Sequence, residues 1–354
     1  MFARLEARTK YCRMVYSSPM RILVTGGTGS FGHAVTDRLL KRKDVTQIIV
    51  FSRDEEKQHR MRIEYQDHPK LTFIVGDVRD RDAVRAAIRG SDIVFHAAAL
   101  KQVPTGEFFP WEVVKTNILG TQNVAELCKE EHVNKMVLLS TDKAVQPVNA
   151  MGMSKALAEK MITAFAHLPN HTVFCAVRYG NVAASRGSVI PVFVEHIKTH
   201  TSLPVTVPHM TRFMLSLEDA VDLVELAVDK GQQGDIFIKK SPAATISDLA
   251  QALLDIFEVQ LPITLVGIRE GEKIHEILAH ELELMRAEDL NTHFRIRSNL
   301  AYDYKGYFDE GEELKSIKPY SSETTERMSI SEIKKFLLKL PYIQNELEIF
   351  HSHA

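Results

Sequence analysis

The stretch Ile22-Leu-Val-Thr25-Gly26-Gly-Thr-Gly29-Ser-Phe-Gly32 decides the fold. A short apolar run passes directly into glycines at 26, 29 and 32, and a helical pattern follows from about His33. A side chain at Gly26 or Gly29 would obstruct the turn or the approach of a pyrophosphate. Gly32 lets the helix pack close to the strand, and an anion then meets free N–H groups at the helix N-terminus. A glycine triplet alone is a weak signal; this one lies strand–turn–helix inside a βαβ unit, which is the informative context. A tight turn without ligand is the alternative. Read for binding, the loop contributes Gly26, Thr28, Gly29, Ser30, Phe31 and Gly32.

Working outward, β-branched runs at Gln47–Phe51, Thr72–Val75, Ile93–Ala97, Lys135–Ser140 and Thr172–Arg178 alternate with helix-like segments. Near-continuous apolar strands suit a parallel sheet covered on both faces, so the fold class expected is α/β, a doubly wound parallel Rossmann sheet. A helix over Leu217–Asp229 leads to a late strand at Asp235–Lys239. The expected division is a dinucleotide-binding domain over 20–184 and 216–240, a substrate-binding lobe over 185–215 and 241–299, and a C-terminal arm over 300–345 ending in a helix near Ser331–Leu340. Residues 1–19, with four cations against Glu6 and no apolar core of signal-peptide length, read as an extension outside the fold, with a natural start at Met20 expected and an amphipathic basic presequence as the alternative.

Composition narrows the class. The 354 residues carry 44 Lys+Arg against 46 Asp+Glu, a formal charge of -2, which argues against a generic nucleic-acid binder. No run approaches the length of a membrane span, so no membrane insertion is expected. Three cysteines without metal-ligand spacing predict a reducing cytoplasm and no metal.

The second strand's end separates two dinucleotides. About twenty residues past the loop, where an acid would hold a ribose 2′-OH, stand Ser52 and Arg53. A carboxylate 4 Å from a 2′-phosphate would cost about 4 kcal/mol at an effective dielectric of 20. A hydroxyl and a guanidinium remove that penalty and favour NADP. The alternative for Arg53 is a solvated loop charge. Asp77 and Val78, after the third strand, are expected beside the adenine, although Asp77 would also serve as a helix cap.

Three segments converge on the carboxyl edge: His96-Ala-Ala-Ala-Leu-Lys101, Ser140-Thr-Asp-Lys143 and Met151-Gly-Met-Ser-Lys155. With the glycine loop, Asp77, Ala97, Ala98 and Asn117, they resemble the extended short-chain dehydrogenase/reductase superfamily. That superfamily normally places Tyr four residues before the lysine. Here the position is Met151, whose thioether does no useful proton chemistry. Thr141-Asp-Lys143-Ala, Arg178-Tyr-Gly-Asn-Val182, Gly187-Ser-Val-Ile-Pro191, Thr211-Arg-Phe-Met214 and Gly271-Glu-Lys-Ile-His-Glu276 sharpen the likeness to inverting UDP-N-acetylglucosamine 4,6-dehydratases. Met at the Tyr position and Ser321-Ser-Glu-Thr-Thr-Glu-Arg327 resemble the capsule and O-antigen branch that begins UDP-N-acetyl-L-fucosamine synthesis.

The resemblance implies conversion of UDP-N-acetylglucosamine to UDP-2-acetamido-2,6-dideoxy-β-L-arabino-hexos-4-ulose with bound NADP. It also implies a homo-oligomer, a hexamer, in which the arm latches onto a neighbouring subunit. It makes Lys143 the base at carbon 5 and Asp142 the acid at carbon 6. Lys155 bonds the nicotinamide ribose, with Lys101 beside it. Thr141 holds the carbon-4 hydroxyl, whose proton passes to Asp142, Lys143 or a water chain. Lys101, Asn181, Arg212 and Glu272 fall to the uridine diphosphate sugar. Chemically, a ketone at carbon 4 acidifies the carbon-5 proton, and the consecutive Asp142 and Lys143 supply both an acid and a base. Lys143 is then expected to have a depressed pKa, through burial or through Lys101 and Lys155 as cationic neighbours. The competing readings are a nucleotide-sugar 4-epimerase or reductase of the same superfamily, and a non-catalytic NADP-binding scaffold. His96 is expected to line the cleft without acting; Phe108, Phe109 and Trp111 to pack.

Overall fold

The computed structural model describes residues 19–169, 171–298 and 316–353. Most of the expected extension and the first part of the arm, 300–315, lie outside these. The first strand runs Met20–Thr25 (β1), followed by Val45–Ser52 (β2), Leu71–Val75 (β3), Ile93–His96 (β4), Lys135–Thr141 (β5), Val173–Tyr179 (β6) and Ile236–Lys239 (β7). All seven pair in parallel. Two further strands, Ala287–Asp289 (β8) and His293–Ile296 (β9), close the sheet antiparallel on β7, in the order β8-β9-β7-β6-β5-β4-β1-β2-β3. The doubly wound reading stands, but the sequence reading had placed residues 287–296 in the lobe. Strands of three and four residues around a tight turn give too little pattern to be read as sheet.

Both faces of the sheet are covered, which is why the middle of its strands is apolar on both sides. Leu23, Val94, Met136 and Leu138 face helices Arg81–Ile88, Gly120–Glu130 and Ala150–His167. Their neighbours Ile22, Val24, Ile93, Phe95, Val137 and Leu139 face helices Ser30–Leu40 and Leu217–Lys230. This is the period-two alternation of a strand with oil on both sides.

A second core forms the lobe, where Phe193, Ile197, Leu249 and Leu253 meet Ile333 and Leu337. Residues 316–353 belong to it. Tyr320–Ser321 pairs with Ile277–Ala279, and the Tyr320 hydroxyl accepts from Ser241 N–H at 2.8 Å. This stretch packs on its own chain rather than leaving it as an arm. One buried ion cluster ties the sheet to the short helix Glu281–Met285. Arg178 of β6 donates in bidentate fashion to Glu159 of the Ala150–His167 helix and to Glu283 of that short helix, the latter at 2.9 Å by both contacts. Among the described residues, no helix is long and apolar enough to cross a membrane.

Candidate active site

Strand order reverses where β1 lies between β4 and β2, and a crevice opens there beyond the carboxyl ends of the strands. It widens into a cleft of about 920 Å³ between sheet and lobe. The glycine loop forms one wall. Gly26 sits at φ +67°, and a Cβ there would lie 2.9 Å from the backbone of Ala98. A Cβ on Gly32 would lie 2.0 Å from Gly27 O, so only glycine lets helix and loop meet. The Ser30–Leu40 helix has neither a side-chain cap nor an acid in its first turn. Its free N–H groups and positive dipole end are therefore available to a pyrophosphate. Among the described residues, six buried polar atoms on the cleft lining have no hydrogen-bond partner: Thr116 Oγ1, Ser140 Oγ, Asp142 Oδ2, Asn181 Oδ1, Ser188 Oγ and Glu276 Oε2. Buried polar atoms are usually paired, so this clustering marks a place built around a polar ligand. Cradle and orphaned atoms together fit a dinucleotide and a second polar molecule.

At the far end, Thr28 Oγ1 donates to Ser52 Oγ at 3.2 Å, tying loop to strand. Arg53 stays largely exposed, 3.8 Å from Asp77. Asp54, the next residue in the chain, is occupied as the cap of the next helix, accepting from the N–H of Lys57 at 3.0 Å and from its ammonium. Asp80 caps the helix after β3, so Asp77 does not. Partial burial pushes the Asp77 carboxyl up, but hydrogen bonds from the Arg79 side chain and backbone outweigh it and hold the group low. Val78 and Ala97 also line this wall.

The chemistry-bearing turn follows β5. Thr141 ends the strand, and its hydroxyl accepts from Lys143 N–H, winding Asp142–Ala144 into a single tight turn. Helix Ala150–His167 lies so close that a Cβ on Gly152 would stand 2.3 Å from Lys143 O. Asp142 is fully buried; its Oδ1 accepts from Thr141 Oγ1 at 2.8 Å and from Lys143 Nζ at 3.1 Å. Glu276, 2% exposed, sits on the other side of the ammonium at 3.2 Å. Arg212 and Lys273 stand 3.8 Å from Glu276.

Burial pushes the Asp142 carboxyl up, Lys143 opposing. Burial would lower Lys143, but Asp142 and Glu276 override it and raise its pKa. The sequence expectation of a depressed Lys143 is therefore reversed: its close partners are carboxylates, not Lys101 and Lys155. Glu276 is pushed up by burial and pulled down further by Lys143 and Arg212.

Lys155 lies one turn beyond Met151 on the same helix, and both line the cleft. Burial lowers its ammonium to about 8, partly offset by Glu159. The helix is braced by Asn117, whose side chain donates to Leu100 O and Ser154 Oγ, both at 2.9 Å. Asn117 sits on a π-turn over Val114–Leu119, a distortion often found beside functional sites.

On the lobe side, Lys101 donates to Arg186 O at 2.9 Å, and burial lowers its pKa. Asn181, Arg212 and Glu272 also reach the cleft, Arg212 bonding Thr211 O at 2.7 Å. The cleft thus gathers every residue the sequence nominated, including Gly26, Thr28, Gly29, Ser30, Phe31, Gly32, Ser52 and Ala98. His96 behaves differently. It lies behind the wall, bonded to Thr25 and Thr121, and burial lowers it to about 3, so it is neutral. Phe108, Phe109 and Trp111 are exposed rather than packed. Sequence reading missed Glu276 and Tyr179, both cleft residues. The motif ending at Glu276 was visible, but nothing in it singled out that acid over Glu272.

Comparison with known proteins agrees with this geometry. Residues 22–298 match the polysaccharide biosynthesis protein family, and 301–344 match the polysaccharide biosynthesis protein C-terminal family. A protein of Rickettsia bellii named UDP-glucose 4-epimerase is 51% identical over 92% of this chain and 98% of its own, and its Rickettsia typhi counterpart is 49% identical over the same shares. Pen from Bacillus thuringiensis superimposes with a TM-score of 0.83 at 32% identity, covering 92% of this chain and all of Pen. The dTDP-glucose 4,6-dehydratase DesIV of Streptomyces venezuelae, solved with NAD, shares the fold at a TM-score of 0.66 and 22% identity, over 72% of this chain and 87% of its own. On this cleft and these matches, the chain belongs to the polysaccharide biosynthesis protein family and is a nucleotide-sugar-modifying enzyme of the extended short-chain dehydrogenase/reductase superfamily.

Proposed function

We propose that the protein is an NADP-dependent, inverting 4,6-dehydratase acting on UDP-N-acetylglucosamine, a lyase supplying the first intermediate toward an N-acetylfucosamine-type sugar of a surface polysaccharide. The observation that carries this reading is the Thr141–Asp142–Lys143 turn in the cleft, with Asp142 fully buried and Lys143 partly open to the cleft. An epimerase that only oxidises and re-reduces carbon 4 needs one proton carrier, which Asp142 would supply through Thr141, and has no use for Lys143 as a further base. The dinucleotide, held by the glycine loop, Ser52, Arg53, Asp77, Val78, Ala97, Ala98, Lys101 and Lys155, supplies reversible hydride storage. Support for NADP over NAD comes from Arg53 and from the engagement of Asp54 by Lys57.

The residues divide the proton work as follows. Thr141, hydrogen-bonded to Asp142 Oδ1, binds the carbon-4 hydroxyl and passes its proton to Asp142. This route replaces the absent tyrosine at Met151. Burial favours the resulting neutral Asp142, which then gives the same proton to the departing carbon-6 hydroxyl. That proton and that hydroxyl leave as water. Lys143 removes the carbon-5 proton, and a proton returned to the opposite face inverts that carbon. Lys155 supplies positive charge beside the nicotinamide ribose. Arg212 and Lys101 attract the diphosphate, with Asn181 and Glu272 bordering the same pocket.

The chain works in the cytoplasm, as a homo-oligomer. Exposed Phe108, Phe109, Trp111, Met153 and Leu157 on neighbouring helices support an interface between copies. A 4-epimerase is the second reading, favoured by the names of the Rickettsia proteins. Incubation with UDP-N-acetylglucosamine in deuterated water, followed by proton NMR, separates the two. A 6-deoxy-4-keto product with deuterium at carbon 5 is expected; a carbon-4 epimer that keeps its carbon-6 oxygen would refute the dehydratase.

A further inference from the structure

Two carboxylates clamp one ammonium in the cleft, and among the described residues each leaves its second oxygen buried without a hydrogen-bond partner, Glu276 Oε2 having Lys273 Nζ 3.8 Å away. Lys143 Nζ lies 3.1 Å from Asp142 Oδ1 and 3.2 Å from Glu276 Oε1. Asp142 Oδ2 and Glu276 Oε2 are the orphans. Dehydration uses Asp142 as the carrier of the carbon-4 proton, which removes one of the two countercharges. It also demands a neutral amine at Lys143, although the resting site holds that lysine as an ammonium. Some nearby group must take its proton, and apart from Asp142 the carboxylate in contact with the ammonium is Glu276, at 3.2 Å.

We propose that Glu276 is that group: a residue acting through Lys143, which accepts its ammonium proton once Asp142 is protonated and so makes the lysine a base without exchange with bulk water. The proposal rests on the dehydratase reading. In the transfer, an N–H bond of Lys143 breaks and an O–H bond forms on Glu276. The amine then takes the carbon-5 proton as the carbon-6 hydroxyl departs with the proton from Asp142. As hydride returns to carbon 6, the Glu276 proton is relayed to the opposite face of carbon 5, which leaves Asp142 and Glu276 ionised and Lys143 an ammonium, so that none is gained or lost.

The surroundings are built to hold Glu276 in place. Its backbone N–H donates to Ser322 Oγ at 2.9 Å, and Ser322 N–H donates to Glu276 O at 2.8 Å. Ser322 is itself anchored by Thr211 Oγ1 at 2.6 Å. The C-terminal segment thus fixes a catalytic-site side chain. The charged groups facing Glu276 are Asp142 and Lys143 from the turn after β5, Arg212 from the strand Thr211–Phe213, and Lys273 from its own loop. His275 points away, bonded to Thr211 and 3.8 Å from Glu323. Lys273 donates to Val145 O at 2.6 Å, and burial lowers its pKa, which keeps it a weak competitor for Glu276.

The test is the pH profile of dehydration by the full chain loaded with NADP, with product identified by NMR. For the wild type, internal transfer predicts a rate nearly independent of pH from about 6 to 9. For Glu276→Gln, the proton must leave to solvent. Its rate is expected to fall about 100-fold at pH 7 and to recover to within about tenfold near pH 9.5, with KM unchanged. Carbon-5 deuterium incorporation should follow the same curve, while first-turnover reduction of the nicotinamide persists. Glu276→Asp should restore most of the rate at pH 7. A Glu276→Gln enzyme within about threefold of wild type at every pH, or one slowed equally at every pH, overturns the proposal while the keto product still upholds the dehydratase. If Glu276→Gln does not fold, the wild-type profile decides, and a rise of about tenfold per pH unit through neutrality overturns the proposal. A wild type that yields only a carbon-4 epimer ends both readings.

Discussion

Replacing Gly32 with alanine tests how the dinucleotide cradle is held together. The added Cβ would lie 2.0 Å from Gly27 O, 2.3 Å from Gly27 C and 2.5 Å from Gly27 Cα, all backbone atoms that cannot rotate away. Real Cβ contacts essentially never fall under 3.0 Å, so the helix start must retreat from the loop by about 1 Å. Overpacking of this kind costs about 1–3 kcal/mol of stability. The unfolding midpoint should fall by about 2–4 °C for each kcal/mol lost. The same retreat carries the helical N–H groups out of bonding range of a pyrophosphate. Losing one or two charge-assisted bonds, about 2–4 kcal/mol, corresponds to roughly 30- to 1000-fold weaker binding. Thermal unfolding with and without NADP, and a binding titration, read the two effects separately. Gly29→Ala is the control: its Cβ meets only Gly26 O, at 3.3 Å, so stability should hold while cofactor affinity falls. A Gly32→Ala protein with wild-type unfolding and wild-type affinity would refute the close-approach argument.

Asp142→Asn keeps the shape of the turn but neither carries the carbon-4 proton nor protonates carbon 6. Dehydration should drop about 100- to 10,000-fold, and a rate above a tenth of wild type would remove Asp142 from the mechanism. Lys155 has its folded pKa lowered to about 8 by burial, so its native state binds fewer protons than the unfolded chain between about pH 8 and 10.5. Its contribution is therefore a penalty fully present below pH 8, relieved as pH rises through that window. Lys155→Met should stabilise the cofactor-free protein at pH 7 by up to about 3 kcal/mol and flatten its stability profile above pH 8, while turnover fails. Unfolding curves at several pH values check this; unchanged stability would mean the lysine is solvated. Arg53→Glu should reverse cofactor preference, weakening NADP relative to NAD by about tenfold to 100-fold at low salt, as competitive titration would show.

Much of the site was legible because its signals are local. The glycine loop, the apolar strands and the Met151-to-Lys155 spacing each span a few residues, and the strands come within two residues of their expected bounds. What escaped depends on distant parts of the chain meeting. Glu276 lies far along the sequence from Lys143, and no pattern near Gly271 reveals that its carboxylate reaches β5. The direction of the Lys143 shift failed for the same reason: sequence supplied the lysines of neighbouring motifs, while the fold supplied two carboxylates. β8 and β9 add to a sheet edge through backbone pairing, which short strands do not announce.

The Arg178 cluster has a consequence for how molecules get in and out. Its strand delivers Tyr179, Gly180 and Asn181 into the cleft, and its guanidinium is pinned on one side by the dinucleotide layer and on the other by helix Glu281–Met285. Separating the two would strand a buried cation, a penalty of about 3–5 kcal/mol. The frame therefore resists opening, and the cleft meets solvent at the exposed rim segments that bear Arg186 and Arg269.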